Sequence, residues 1–430
     1  YTFEDSLPKL LQGNLAMDVL NEQKENVMKK GMCVLLMRGK FLKICNLRNE
    51  NQSQQIGKDL VCVGQLIGHE FGSVFKLVKG NTKSFNMERV TENTDSLTPA
   101  VKKTSGEDNR NVIDSHGKCQ KLSRDDISEL KDQGIIGSAI VEKLIGSSST
   151  YEMKTEYAQE KYISKKQKKY YDYIVALKPT IRMISQLLYQ QDPMKILNLR
   201  PDTLSILITH CNVHSGGKYI IFESGSMGLG VASLLYRLNG NGRVIHFFHD
   251  KSPNRPVVDM LNYSNKELSC LWSVNIREFK IRKELSNKTN DQGMTMSNEK
   301  CQPDTVEGDC PLDGCSHLNK NLCTQAMAIS LLEKEKFDGL VIISKPHPLN
   351  ILLKLKTFLG VSRPFAVYSP YKETLVECYN KLKIEGEAIA LKLTETWFRD
   401  YQVLPDRTHP YINMSGGGGY LLTGIKVDNT

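Results

Sequence analysis

The stretch Lys218-Tyr219-Ile220-Ile221-Phe222-Glu223-Ser224-Gly225-Ser226-Met227-Gly228-Leu229-Gly230 decides the fold: an apolar strand runs into a glycine turn, and the helical run Val231 to Leu238 follows. In open α/β sheets that bind nucleosides, such a turn lets the backbone approach the ligand, and an acid ending the next strand holds the ribose hydroxyls. Both features are damaged here. Counting glycines from the acid at every second position, Met227 stands at the second and Leu229 at the third. The long side chain of Met227 would protrude where a ligand needs space. About 20 residues past Gly228, where the acid is expected, stands Phe248, with Asp250 out of register. A phenyl ring accepts no ribose hydrogen bond, so the glycines read as a tight strand-to-helix turn kept for packing.

Working outward, further apolar runs follow at helix-length intervals: Val244 to Phe248, Leu340 to Ile343, Phe365 to Tyr368 and Ala388 to Leu391. Strands so separated predict parallel βαβ units in a doubly wound sheet over 179–430. A polar stretch at about 283–321 interrupts them and is expected to be a mobile surface insertion. Upstream, Cys33 to Met37, Phe41 to Cys45, Leu60 to Val63 and Val74 to Val78 alternate with turn residues, which predicts a small β-barrel over 26–80. Residues 81–108 are too polar to offset ordering entropy and are expected to form a linker. A helical, basic segment fills 109–178. In it Ser123 caps one helix with Asp126 reaching back, Gly134 ends it, and a second helix fits Ala139 to Leu144. A third begins at Thr155, its course closed by Pro179.

The 430 residues hold 57 Lys+Arg against 48 Asp+Glu, a net +9, so charge informs only where it clusters, and 40% hydrophobic content supplies a core. No apolar stretch is long enough to cross a bilayer, and Tyr1 to Asp5 lack the charged-then-apolar order of a secretion signal. The 11 cysteines are odd in number and several lie in apolar runs, which suits reduced thiols. Cys301, Cys310, Cys315 and Cys323 lack the two-residue knuckle of zinc sites, and His210 with His214, or His246 with His249, lack a third ligand at suitable spacing. No metal site, nucleophile elbow, P-loop or Cys-His arrangement is read.

Charge clusters on the helix begun at Thr155. Lys161, Lys165, Lys168 and Lys169 share a face, with Lys166 beside them, and a polyanion would relieve their repulsion. Tyr162, Tyr170 and Tyr171 either stack on bases or anchor the helix. The competing account is a solvated face or a localisation signal. In Ile342-Ile343-Ser344-Lys345-Pro346-His347-Pro348, the Ser344 hydroxyl has no activating neighbour in sequence, and Lys345 sets a fixed positive charge, suited to a phosphate, at the sheet's carboxyl edge. Gly416 to Gly419, before a strand, are expected either to let a backbone approach RNA or a partner closely or to form a flexible loop.

The segments Ile67-Gly68-His69, Asp108 to Asn111, Thr155 to Tyr162, Trp397 to Pro405 and Met414 to Tyr420 are those by which the chain, from about Gly31 to Val427, resembles the non-catalytic subunits of eukaryotic tRNA adenine-N1 methyltransferases. The resemblance implies an α/β protein with an N-terminal small β-barrel and a C-terminal Rossmann-like class I methyltransferase fold whose cofactor site is degenerate. In active relatives an acid or amide stands four positions before the last proline, where this chain has Ser344. It implies no catalytic residue and no cofactor in this chain. It implies further a nuclear heterotetramer, two copies each of this chain and of a catalytic subunit that holds S-adenosylmethionine, which binds tRNA and forms N1-methyladenosine at position 58 in the T-loop. The RNA-binding residues it implies are Asn109, Arg110, Asn111, Lys118, Gln120, Lys161, Tyr162, Lys165, Lys166, Lys168, Lys169, Tyr170, Gln191, Lys195, Asn198, Lys345, Lys383, Arg399 and Gln402. Two rivals stand beside this reading: an autonomous S-adenosylmethionine-dependent RNA methyltransferase with a divergent pocket, and a general RNA-binding translation factor.

Overall fold

The chain divides after Pro179 into two units. The computed structural model describes residues 26–39, 41–79, 84–90, 120–132, 137–170, 173–277, 279, 317–403, 408–414 and 416–428. In the first unit, β1 (Cys33–Arg38), β2 (Phe41–Asn46), β3 (Ser53–Ile56), β4 (Asp59–Cys62), β5 (Val74–Lys79), β6 (Phe85–Arg89) and β7 (Tyr173–Leu177) form one sheet, ordered β2-β1-β7-β5-β6-β4-β3. The two edge strands approach each other. Lys43 Nζ on β2 donates to the Gln55 carbonyl on β3 at 2.5 Å, and Gln52 Nε2 donates to the Asn46 carbonyl at 2.9 Å. The sheet is thus nearly closed, around Val34, Leu36, Leu47, Ile56, Val61 and Phe75. It differs from the expected span. β6 falls in the stretch read as a linker, and β7 follows a helix expected to run on toward Pro179. β6 carries only two large apolar residues, which hides it in a polar sequence.

Between β6 and β7 lie α1 (Arg124–Asp132), α2 (Gly137–Gly146) and α3 (Glu156–Tyr170). The expected cap of α1 is present in both directions: Asp126 N donates to Ser123 Oγ at 3.1 Å and Ser123 N to Asp126 Oδ2 at 2.8 Å. Gly134 lies outside the described residues. Ile140, Val141 and Leu144 of α2 are buried together, with Leu122 and Ile127 packed on them.

The second unit opens with α4 (Ile181–Gln191) and α5 (Pro201–His210). The doubly wound part then runs β8 (Lys218–Ser224), α6 (Leu229–Leu238), β9 (Arg243–Phe248), α7 (Pro256–Met260), α8 (Asn265–Ser269), β10 (Leu271–Asn275), α9 (His317–Lys334), β11 (Gly339–Ser344), α10 (Leu349–Leu355), β12 (Pro364–Ser369), α11 (Lys372–Glu385), β13 (Ala388–Trp397), the short pair β14 (Tyr401–Gln402) and β15 (His409–Pro410), and β16 (Gly417–Lys426). The sheet order is β10-β9-β8-β11-β12-β16-β13. Its first five strands are parallel, β16 runs antiparallel to both of its neighbours, and β13 thereby runs in the same sense as the first five. That is the strand order of class I methyltransferases. The Ala388 run is, as expected, a further strand of the parallel set, reached from β12 through α11, and it stands at the edge because β16 inserts between it and β12. Phe222, Phe247, Leu340, Ile342, Phe365 and Val367 pack one face against α9, α10 and α11. Chain order reverses between β8 and β11, so the crevice where such sheets bind ligands lies at the carboxyl ends of those strands. α9 begins inside the expected insertion. Most of that insertion lies outside the described residues.

Candidate functional site

At the crevice, β8 delivers Glu223, which is 5% exposed. Its carboxylate accepts from Ser226 Oγ at 2.5 Å, Gly230 N at 3.3 Å and Val231 N at 2.8 Å. Burial pushes this carboxyl's pKa up, while those donors pull it down. The acid that opens the glycine motif is therefore consumed as an internal anion at the α6 N-terminus, where a ligand's negative group would otherwise bind. Met227 takes a left-handed backbone at φ 58°, a conformation costly for a long side chain.

The turn is also covered. A Cβ on Gly228 would lie 2.6 Å from Arg255 Cα, and Val257 N donates to the Met227 carbonyl at 3.2 Å, so the chain entering α7 lies on the turn. Arg255 Nη1 donates to Ser273 Oγ on β10 at 2.7 Å, and burial pushes its guanidinium pKa down. His246 is buried beneath the same face. Burial first, and Arg255 second, push its pKa down to about 3. Phe248 ends β9, its ring 5.9 Å from that of His246. These residues do not fit S-adenosylmethionine: no acid meets the ribose, backbone fills the glycine approach, and the nearby charge repels a sulfonium.

At the end of β11, Ser344 is buried and its hydroxyl donates to the Pro346 carbonyl at 2.6 Å. A sealed hydroxyl with its proton so committed cannot serve as a base toward RNA. Lys345 is exposed, and its backbone N–H donates to the Ser224 carbonyl at 3.1 Å, tying β11 to β8. His347 Nε2 pairs with Glu377 at 3.1 Å.

Of the expected RNA contacts, Asn109, Arg110, Asn111 and Lys118 lie outside the described residues. Tyr162 Oη donates to Gln120 Oε1 at 3.1 Å, and the Tyr162 ring is flanked by Lys154 Nζ at 4.8 Å, Lys166 Nζ at 5.1 Å and the Tyr151 ring at 5.8 Å. Of its two open roles, this Tyr is an anchor. Lys161 and Lys165 are exposed on α3. Lys168, Lys169 and Tyr170 occupy its last turn, their side chains outside the described set. Gln191, the last residue of α4, and Lys195 beyond it are exposed, with Lys195 3.8 Å from Asp192, and Asn198 takes a left-handed backbone with Nδ2 3.7 Å from Met194 Sδ. Tyr368 Oη donates to the Leu197 carbonyl at 2.8 Å, which brings this turn to the carboxyl edge beside Lys345. Arg399, donating to the Tyr411 carbonyl at 3.4 Å, and Gln402 follow β13 at that same edge. Lys383 is at the opposite edge, near the end of α11, its Nζ 5.7 Å from the Tyr379 ring centroid. Among the described residues no His, Cys, Asp or Glu group could hold a metal.

The glycine run is not a loop before β16 but largely part of it. A Cβ on Gly418 would meet Thr396 Oγ1 at 2.4 Å and Thr203 Oγ1 at 2.7 Å, and one on Gly419 would meet Tyr368 Oη at 2.5 Å. The close approach is thus to the chain's own side chains. Buried Arg200 donates from Nε and Nη2 to Asp202 at 2.7 Å each and from Nη1 to the Gly416 carbonyl at 2.6 Å, with Phe398 against its plane at 5.5 Å. This socket, which sequence reading missed, holds the segment that exposes Trp397, Tyr401, Val403 and Ile412. Arg200 is 216 residues from Gly416 in sequence, and Thr203 is 193 from Thr396.

The model of the Gcd10p family matches residues 27–305. The tRNA (adenine(58)-N(1))-methyltransferase non-catalytic subunit of Mus musculus is 36% identical, covering 84% of this chain and 81% of the relative. The Dictyostelium discoideum protein of the same description is 29% identical, covering 94% and 80%. A solved tRNA (m1A58) methyltransferase of Aquifex aeolicus aligns at TM-score 0.44 and 11% identity, over 94% of this chain and all of that one. By the extent of the family match and the identity to the mouse subunit, the chain belongs to the Gcd10p family.

Proposed function

We propose that this chain is the non-catalytic, tRNA-binding subunit of a heteromeric S-adenosylmethionine-dependent methyltransferase that forms N1-methyladenosine at position 58 in the T-loop of tRNA. The catalytic subunit holds the methyl donor, and two copies of each subunit make the assembly. The observation that carries this reading is the crevice filled from within: Glu223 caps its own helix and the Arg255 segment lies on Gly228. A fold that keeps the strand order but obstructs the donor site contributes surface instead of chemistry. Lys161, Lys165 and Lys345 supply exposed cations for phosphates. The exposed Trp397, Tyr401, Val403 and Ile412 supply apolar surface for a subunit.

Calorimetric titration with S-adenosylmethionine tests the reading, together with methyl-transfer assays on tRNA for the lone chain and for the chain with its catalytic partner. No donor binding to the lone chain, and transfer only by the pair, is the expected result. Micromolar donor binding with turnover by the lone chain would refute it and establish an autonomous enzyme.

A further inference from the structure

Resting on the tRNA-binding reading, we propose that Tyr371 and Lys345 form a nucleotide step at the carboxyl edge, the phenol ring stacking on an unpaired base and the ammonium neutralising a phosphate. β11 and β12 are parallel neighbours in register, Ile343 opposite Tyr368, so they end level with each other. Their last residues, Ser344 and Ser369, are buried. Immediately beyond, both strands turn out to solvent: Lys345 is exposed and Tyr371 is 62% exposed.

The backbone beneath each is fixed. Tyr371 N donates to Ser369 Oγ at 3.2 Å, and Thr374 Oγ1 lies within hydrogen-bond distance of the Tyr371 carbonyl, at 3.0 Å, and of Ser369 Oγ, at 2.9 Å. Lys345 N is held by Ser224. An aromatic ring with two rotatable angles on a pinned backbone loses little entropy when it stacks. That makes it a sequence-tolerant platform for single-stranded RNA. Tyr162 cannot serve so, since two ammonium groups and a second ring already flank it. Cations for a phosphate stand next to Tyr371. Lys372 is exposed beside it, and Lys345 has no carboxylate partner among the described residues. Two acids of α11 stand nearby, Glu373 in its first turn and Glu377, which lies 3.1 Å from His347 Nε2.

The test uses this chain assembled with its catalytic partner and an unmodified tRNA transcript titrated over a range of salt. Tyr371→Ala should weaken binding about tenfold with the salt slope unchanged, because stacking releases no counterions. Tyr371→Phe should bind like wild type. Lys345→Ala should lower the salt slope by about one ion. If Tyr371→Ala binds like wild type while Lys161→Ala/Lys165→Ala weakens binding, the step is refuted and the tRNA-binding reading stands. Tyr371→Phe as damaging as Tyr371→Ala, with a lowered melting temperature, would make the residue structural and refute the step. Weakened subunit assembly in Tyr371→Ala, measured by sedimentation without RNA, would assign the ring to a protein contact and overturn it. A wild-type assembly that binds no tRNA overturns both claims.

Discussion

His246 shows how far one residue can reveal the history of a site. Its imidazole is buried, neither nitrogen makes a hydrogen bond of good geometry, and the Glu223 backbone compensates it only weakly. In the unfolded chain a histidine titrates near 6.5, whereas the folded value is about 3. As pH falls through 6.5 the unfolded state takes up a proton that the folded state refuses. The group's contribution to stability is therefore complete above 6.5 and declines by about 1.4 kcal/mol per pH unit down toward the folded value. Denaturant unfolding of wild type and His246→Leu at pH 7.5 and 5.5 should show the variant gaining about 1 kcal/mol relative to wild type at the lower pH. An identical pH dependence of the two would contradict this burial. Removing both unsatisfied nitrogens should leave the neutral-pH stability nearly unchanged. At this scale the sequence announced the losses at Met227, Phe248 and Ser344, because an absent acid is visible as a letter. It could not announce that Glu223 had become a cap or that Arg255 covers Gly228, since both depend on where a later segment folds back.

Among elements, α3 presents the clearest prediction. Lys161 and Lys165 stand one turn apart and exposed, while Lys166 is engaged with the Tyr162 ring. Replacing Lys161 and Lys165 with Ala should lower the logarithmic salt slope of tRNA binding by up to about two. The helix itself should hold, because Ala has the higher helix propensity and like-charge repulsion is relieved. Fluorescence anisotropy across salt concentrations checks it. An unchanged slope would mean a merely solvated face. Helices with capping signals were legible: Ser123 and Asp126 mark α1 as they should, since the cap is built from neighbours in sequence. Elements whose reason to exist is a distant partner were not. β6 is polar and gains its place from antiparallel pairing with β5, and β7 from pairing with β5 about 100 residues earlier and with β1 about 140 residues earlier. Gly416 to Gly419 read either as a close backbone approach to RNA or a partner or as a loop, because glycine forgoes packing in its own side chain. Its use here is to admit those of Thr203, Thr396 and Tyr368.

At the scale of the whole molecule, the doubly wound sheet has an unfinished edge. β13 is ten residues long and, among the described residues, pairs on one side only, with β16. An edge of that length is ordinarily blunted or covered. Here it leads into Trp397, Val403 and Ile412, which are 67%, 75% and 82% exposed. Burying each such side chain contributes about 1.5–3 kcal/mol, so a surface that leaves all three in water gives up what an interface would gain. The Arg200 socket holds this region in place without a partner, which lowers the ordering cost of docking. The catalytic subunit is the proposed occupant, and two changes separate docking from folding. Val403→Asp with Ile412→Asp should weaken assembly at least tenfold in sedimentation while leaving the melting temperature of the lone chain within about a degree, since exposed positions carry little folding energy. Arg200→Ala should instead lower the melting temperature, by leaving Asp202 and the Gly416 carbonyl without their donor. If the double aspartate variant assembles with its partner as tightly as wild type, the covered surface lies elsewhere on the chain.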